Sequence, residues 1–194
     1  MIIDEDIVAG GVTPFIITKL IERHERERQR YRLLHDYYMG DHRILNRRKR
    51  GKNVANNRIM CNHAKYITDM TQSYLVGNPV TYAVSDDYDI EAIKNAYLEQ
   101  DIPSVDSEIV KNMSIYGRAY ELIYADENSK PRSVRLDPEH TFVCYSQSAF
   151  EKPLFAVYYY KKYDLDGYCT GSICRVYDES FIYTYTGLDS YTAL

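Results

Sequence analysis

Two hydrophobic periods divide the chain, and they predict helices in its first part and strands in its second. Thr13 followed by Pro14 is typical of a helix start, because a hydroxyl caps free N–H groups and proline fits the first turn. Gly40 favours the end of this helix. Three further helices are predicted at residues 58–76, 89–100 and 104–116. One short strand is predicted between the first two of them, at residues 80–84.

The first predicted helix carries a stripe that is apolar at both ends and polar in its middle. The stripe has the spacing of one helical face and consists of Leu20, His24, Glu27, Tyr31, Leu34 and Tyr38. Opposite charges such as Glu25 and Arg28 stand three or four positions apart, where each pair stabilises an exposed helix by about 0.2–0.5 kcal/mol. We therefore expect the helix middle to cross solvent or to contact another chain rather than a core.

The second predicted helix has an apolar face that is suited to a core. This face consists of Met60, Ala64, Ile67, Met70 and Tyr74. The start of the third helix is predicted from a group of acidic residues, which interact favourably with the positive end of a helix dipole: Asp86, Asp87 and Asp89.

After Gly117 apolar and polar residues alternate, which is the period of a half-buried strand. Strands are predicted at residues 119–124, 132–136, 141–145, 154–163, 173–177 and 181–186. Asp166-Gly167 lies between two of them and is typical of a hairpin turn. Helices first and a Tyr-rich antiparallel sheet last indicate the α+β class. We expect a flexible leader at residues 1–11 and a single α+β domain at residues 12–194.

The composition is that of a globular protein with an uneven distribution of charge. The 194 residues are 45% hydrophobic and 27% charged, which excludes a wholly disordered chain, and they include 21 Tyr and no Trp. The net charge is −4, yet residues 19–52 hold twelve basic and five acidic residues, which leaves −11 for the remainder. A basic block on an acidic body is typical of a nucleic-acid contact, an acidic partner surface or a solvated helix.

The chain contains no motif of a nucleotide-binding loop, a serine hydrolase or a zinc protease. Residue types of a zinc site occur at His140, Cys144, Cys169 and Cys174, but their spacing differs from that of zinc knuckles. Since no export signal is visible, we interpret the cysteines as reduced cytoplasmic thiols, most of which are packing groups. We expect no catalytic site, no cofactor and no structural metal, and we interpret residues 164–167 as a turn rather than half of a calcium loop.

The histidines are interpreted as structural rather than catalytic. His35 and Asp36 are adjacent on a helix and so point in different directions. Together with Asp41 and His42 they are predicted to form a cluster that fixes the loop after the first helix. His63 is predicted to be a packing residue.

The basic block supplies the candidate contact residues. A loop rich in basic residues neutralises phosphates or binds an acidic neighbour, but aromatic residues that would stack on single-stranded bases are missing between Arg43 and Asn57. The sequence leaves both kinds of partner open. The candidate subunit or DNA contacts are Arg23, Arg26, Arg30, Arg43, Arg47, Arg48, Lys49, Arg50 and Lys52.

Several short segments form a recognisable series when they are taken in order. They are His35-Asp36-Tyr37-Tyr38-Met39-Gly40-Asp41-His42, Asn56-Asn57-Arg58-Ile59, Asn62-His63-Ala64-Lys65-Tyr66-Ile67, Leu75-Val76-Gly77-Asn78-Pro79-Val80, Tyr116-Gly117-Arg118-Ala119-Tyr120-Glu121, Leu136-Asp137-Pro138-Glu139 and Pro153-Leu154-Phe155-Ala156. This series resembles the portal proteins of tailed, siphovirus-type bacteriophages. The resemblance covers roughly residues 30–165, and it is the order of the segments that makes it specific.

The resemblance implies a structural subunit rather than an enzyme. Portal subunits form a ring, dodecameric at full length, at one capsid vertex, and double-stranded DNA passes through it without sequence specificity. A separate terminase drives packaging, which agrees with the missing nucleotide-binding loop. Further implied partners are capsid and head-completion proteins, with no membrane. The implied location is the bacterial cytoplasm during assembly and then the capsid vertex of the virion.

The resemblance implies that the matching part corresponds to the peripheral wing of a portal subunit, and we expect the family's stem, clip and crown regions to be absent from residues 1–194. We interpret the chain as an expressed wing portion or a prophage remnant, and we expect a monomer or weak oligomer in solution. Two alternatives from other classes remain open, namely a basic nucleic-acid-binding module and a small zinc-dependent hydrolase.

Overall fold

The structure is a computed structural model that describes residues 1–48, 51, 55–85 and 89–187. The helices in this part of the chain are α1 (Pro14–Met39), α2 (His63–Val76), α3 (Glu91–Glu99) and α4 (Ile102–Tyr116). The strands are β1 (Ile2–Ile3), β2 (Tyr120–Ala125), β3 (Pro131–Leu136), β4 (Thr141–Ser146), β5 (Pro153–Tyr163), β6 (Cys169–Tyr177) and β7 (Ile182–Thr186). Helices come before most of the strands, which confirms the predicted α+β class.

Contacts along the chain define two compact units whose boundary lies within α1. The first unit combines Met1–Gln29 with the described part of Asp137–Leu194, and the second is Arg30–Leu136. Each unit is described by itself below. The sequence interpretation of a single domain at residues 12–194 stays a prediction.

The first unit is built on a five-stranded sheet with the strand order β1-β4-β5-β6-β7. β4 to β7 form the predicted antiparallel meander, and β1 pairs in parallel with β4. The turn between β5 and β6 forms because Asp164 Oδ1 accepts from the N–H groups of Asp166 and Tyr168, at 3.1 and 2.7 Å. Gly167 follows with φ +83°, a conformation that favours glycine. The hairpin prediction is therefore confirmed.

The middle of α1 is part of the core, and the prediction that it crosses solvent is wrong. His24 is 0% exposed, and its ring lies 4.9 Å from that of Phe142. Its Nδ1 is 2.7 Å from the hydroxyl of Tyr159 on β5. A polar residue is tolerated here because its hydrogen bond is made inside the core. Apolar α1 residues next to it, such as Ile17 and Leu20, pack in the same cluster.

The first eleven residues, predicted as a flexible leader, contain a paired strand in the structure. Ile2 and Ile3 stand opposite Tyr145 and Ser146 of β4. Ile3 is buried in the core cluster. Burial of this side chain and added backbone pairing hold a segment whose sequence, rich in acidic residues, carries little strand signal.

The second unit contains the end of α1, helices α2 to α4 and the hairpin of β2 and β3. α2 begins five residues later than predicted, because Asn62 caps it by accepting from the N–H of Lys65 at 3.0 Å. α3 and α4 form close to their predicted limits. The strand predicted at residues 80–84 is not formed, since this segment pairs with no strand among the described residues.

The face of α2 that was predicted to be a core is on the surface, and this prediction is wrong. Ile67, Met70 and Tyr74 are exposed. α2 packs on α4 through its polar side instead, where Ser114 Oγ donates to Thr68 Oγ1 at 3.1 Å. Thr68 is 4% exposed. Hydrogen bonds between the two helices therefore take the place that apolar contacts were expected to fill.

Candidate basic interface

The predicted contact residues are exposed wherever the structure describes them. Arg23 and Arg26 lie on α1 in the first unit, and Arg30 lies on α1 in the second. Arg43 belongs to a 3₁₀ turn, Arg43–Asn46, and Arg47 and Arg48 directly follow that turn. Three predicted residues lie outside the described residues: Lys49, Arg50 and Lys52.

The basic loop, which is the segment at residues 41–57, starts at a fixed helix end. The N–H of Asp41 donates to the carbonyl of Asp36 at 2.8 Å, and the N–H of Gly40 donates to the carbonyl of Tyr37 at 3.3 Å. These two bonds satisfy the last turn of α1 in a Schellman motif, which needs a left-handed residue, and Gly40 has φ +93°. A Cβ at this position would lie 3.2 Å from Met60 Cε. The glycine therefore permits both the turn and the close approach of the next segment.

His42 fixes the first residues of the loop, as the helix-end interpretation predicts. Its ring stacks on that of Tyr37, with centroids 4.7 Å apart. Its Nε2 is 3.1 Å from the carbonyl oxygen of Tyr37. His35, from the same predicted cluster, instead stacks on Tyr116. The contacts of His42 thus fix the direction in which the loop leaves α1, and Arg43 is the next residue.

Two side chains from the far end of the loop hold its near end. Arg58 donates from NH1 to the carbonyl of Leu45 at 3.0 Å. Asn62 donates from Nδ2 to the carbonyl of Tyr38 at 2.9 Å while its Oδ1 caps α2. Sequence reasoning missed both residues. The available signal was an Asn directly before a periodic helical segment, which favours an N-cap at residue 62 rather than a helix start at residue 58.

The described loop arginines form no hydrogen bond or ion pair through their side chains with any other described residue: Arg43, Arg47 and Arg48. A guanidinium carries five N–H donors in a fork that matches the oxygens of a phosphate or a carboxylate. The arrangement can bind DNA phosphates or the acidic surface of another subunit.

The α1 arginines of the first unit serve different purposes. Arg23 donates from NH1 to the carbonyl of Ile2 at 3.0 Å, so it also holds β1. Arg28, which the sequence did not single out as a contact, pairs with Glu25 at 3.0 Å and lies 4.0 Å from Glu139. Among the described residues Arg26 makes no ion pair, and it is the better candidate for an intermolecular contact.

The other candidate chemistry forms no site in the structure. No group of three or more His, Cys, Asp or Glu side chains converges as a metal site among the described residues. Cys144 and Cys174 are buried, and burial raises the pKa of each thiol to about 12, so that both stay protonated packing groups. His63 is exposed at the first residue of α2, so the prediction that it packs inside is wrong.

A groove that the sequence did not indicate lies in the second unit, and it is called the α3–α4 groove below. Its cavity volume is about 380 Å³. The rings of Tyr82 and Tyr97 meet in its wall with centroids 5.0 Å apart. Burial raises the pKa of the Asp106 carboxyl above its ordinary value, and the charge of Glu121 adds to this effect. The apolar lining consists of Pro79, Val80, Tyr82, Tyr97, Leu98, Ile102 and Pro103.

Comparison with known proteins places the chain in a family. The family model described as "Phage portal protein, SPP1 Gp6-like" matches residues 17–192. The chain therefore belongs to the phage portal proteins of this family. It is 30% identical over 186 residues to the portal protein of Bacillus phage SPP1. This match covers 90% of the chain but 36% of that relative, so the chain spans little more than a third of the relative's length.

The family assignment confirms the resemblance found in the sequence, and it favours neither the nucleic-acid-binding module nor the zinc hydrolase. None of the described helices is long and apolar enough to cross a membrane.

Proposed function

We propose that the chain is part of a structural subunit of a phage or prophage portal, which forms a ring with identical subunits at one capsid vertex. DNA enters and leaves the capsid through this ring, and a separate terminase supplies the energy for packaging. The observation that carries the proposal is the family match, which extends over residues 17–192. In this proposal the chain catalyses no reaction.

The basic loop gives this proposal a contact surface. Arg43, Arg47 and Arg48 are exposed, and hydrogen bonds to the carbonyls of Leu45 and Tyr38 hold the described start of the loop, which lowers the loss of conformational freedom when these arginines meet a partner. Further partners of the ring are the capsid and head-completion proteins. Assembly takes place in the bacterial cytoplasm, and the final location is the vertex of the virion.

Immunogold electron microscopy tests the proposed function. An antibody raised against the purified chain is applied to phage particles from a host that carries the gene. We expect label at one vertex of each particle, and mass spectrometry of purified particles should detect peptides of this chain. Label spread evenly over the capsid, or particles that lack these peptides, would contradict the proposal.

A further inference from the structure

The outward side of α2 carries a line of large apolar side chains that no described residue covers. Tyr66, Met70 and Tyr74 recur every four residues, Ile67 lies beside this line three residues before Met70, and all four are exposed. Tyr74 protrudes furthest and is 88% exposed. These four residues are called the α2 ridge.

The α2 ridge is not a face that α2 would bury by packing within its own unit. α2 is already packed on α4 through its opposite side. Gln72 Nε2 donates to Ser107 Oγ at 2.6 Å and to the Ser107 carbonyl at 3.2 Å. These bonds set the rotation of α2, and rotating the helix to bury the ridge would break them. The apolar side is therefore held outward by polar contacts.

The same unit carries a concave apolar surface, the α3–α4 groove. Leu98 is 75% exposed in its wall, which Tyr82 and Tyr97 also line. Lys94 and Asp106 at the groove supply polar partners. A groove with apolar walls and a few polar groups suits an aromatic side chain whose end is a hydroxyl.

We propose that the α2 ridge of one copy of this chain binds the α3–α4 groove of the next copy, with Tyr74 as the residue that enters the groove. The inference rests on the proposed function, because a ring of identical subunits requires two different complementary surfaces on each subunit. Both surfaces lie within Arg30–Leu136, so one compact unit supplies the whole contact.

The area of the ridge agrees with a subunit contact. Tyr66 and Tyr74 together present on the order of 300 Å². A monomer rarely exposes more than a few hundred Å² of contiguous apolar surface, whereas a standard interface buries about 800 Å² on each partner. The two tyrosines therefore supply a substantial part of the area that one partner buries in such an interface. A protruding tyrosine that fills a pocket on the partner is also the usual form of an energetic hot spot.

Disulfide cross-linking between two differently tagged chains tests the contact. The exposed thiols Cys61 and Cys169 are first changed to Ser. A Tyr74→Cys chain is mixed with a Leu98→Cys chain under mild oxidation, and each is also oxidised alone. We expect a cross-linked heterodimer as the main product of the mixture. Cross-linking of Tyr74→Cys mainly to itself would show a ridge-to-ridge contact and overturn the proposal, as would the absence of cross-links.

Sedimentation at increasing concentration provides a second measurement. Tyr74→Glu should weaken self-association about tenfold or more, because a carboxylate in the groove loses its hydration. The matched control is Phe150→Glu, which changes an aromatic residue that is 94% exposed in the first unit and should leave self-association unchanged. Equal effects of the two changes would overturn the proposal. Vertex labelling of particles does not depend on this contact, so a failure here leaves the proposed function standing.

Discussion

Asn62 donates a hydrogen bond from its side chain to the backbone carbonyl of Tyr38, 2.9 Å away, and so ties the start of α2 to the last turn of α1. The other atom of the same amide caps α2. One side chain thus satisfies a free carbonyl of one helix and a free N–H of the next. The 23 residues between the two helices, 40–62, include the basic loop, so this amide closes the base of the candidate interface.

We expect Asn62→Ala to lower the free energy of unfolding by about 1–2 kcal/mol, since both bonds are lost. The backbone amides of residues 42–47 should exchange faster with solvent deuterium. Asn62→Asp is the matched variant, because its carboxylate keeps the cap and loses the donor to Tyr38. It should fall between the wild type and Asn62→Ala in urea unfolding. Unchanged exchange in both variants would show that the loop does not depend on this residue.

The buried pair of His24 and Tyr159 leads to a prediction about the first unit. The Tyr159 hydroxyl lies within hydrogen-bond distance of two polar groups, His24 Nδ1 at 2.7 Å and the Glu139 carbonyl oxygen at 3.3 Å. Tyr159→Phe should cost about 1–3 kcal/mol in urea unfolding, because it removes a partner from two polar groups inside the protein. Tyr163→Phe, at an exposed residue of the same strand, should change stability by less than about 0.5 kcal/mol. Equal costs would contradict this account.

Local sequence signals were sufficient to predict the structure where one residue determines a turn or a helix end. Gly40 and the Asp166-Gly167 turn were both predicted correctly, because the left-handed backbone and the side-chain caps involve neighbours in sequence. The burial of His24 was not predictable, since its partner Tyr159 is 135 positions away. A polar residue in a stripe gives no sign of a distant hydroxyl, so the stripe was interpreted as solvent-exposed.

The orientation of α2 was missed for a related reason. The apolar face of α2 was identified correctly from its helical spacing. Such spacing indicates only that one face is apolar, and it does not indicate which residues, if any, cover that face. Thr68 and Gln72 pack on α4 because they form hydrogen bonds with Ser114 and Ser107, respectively. For the candidate interface, the arginines are candidates because their charge pattern is visible in the sequence, whereas Arg58 and Asn62 act through backbone carbonyls and leave no charge pattern to detect.

Asp126 makes the stability of the β2–β3 hairpin depend on pH. Its carboxylate accepts from the N–H groups of Lys130 and Asn128 and from Arg132 Nε, at 3.0, 2.9 and 2.9 Å. The N–H of Lys130 is the main cause that holds the Asp126 pKa below its ordinary value. The contribution of the ionised Asp126 carboxylate to hairpin stability is complete above the ordinary pKa of about 4. It is lost as the pH falls through the lower folded-state pKa.

Hydrogen exchange of the hairpin amides as a function of pH measures this effect. After the exchange rates are corrected for intrinsic rates, the protection of the hairpin amides in the wild type should fall on acidification. The Asp126→Asn variant should be less protected than the wild type at pH 7, but nearly equally protected below the folded-state pKa of Asp126. Glu127→Gln is the control in the same turn, because the Glu127 side chain has no hydrogen bond to a described residue. It should follow the wild type, and an acid-sensitive difference in this control would argue against the role of Asp126.

DNA binding by the basic loop should be weak, independent of sequence and strongly dependent on salt. The three described loop arginines neutralise at most about three phosphates, and each contributes about 0.9 to the slope of log affinity against log salt. The body of the chain, at −11 outside residues 19–52, repels the duplex. We therefore expect binding to a random duplex at low salt that largely disappears near 0.15 M, where charges more than about 8 Å apart are screened.

Changing Arg43, Arg47 and Arg48 together to Gln should lower the salt slope by up to about 3 and weaken binding equally for unrelated duplexes. The matched control changes Lys152, Lys162 and Arg175 to Gln, which removes the same charge from the first unit. If the loop is the contact, fluorescence anisotropy shows a smaller slope in the first variant and nearly the wild-type slope in the control. Equal loss in both would mean that only net charge matters. Tight, sequence-selective binding at 0.15 M salt would contradict the proposed non-specific contact, since phosphate contacts alone carry no base information.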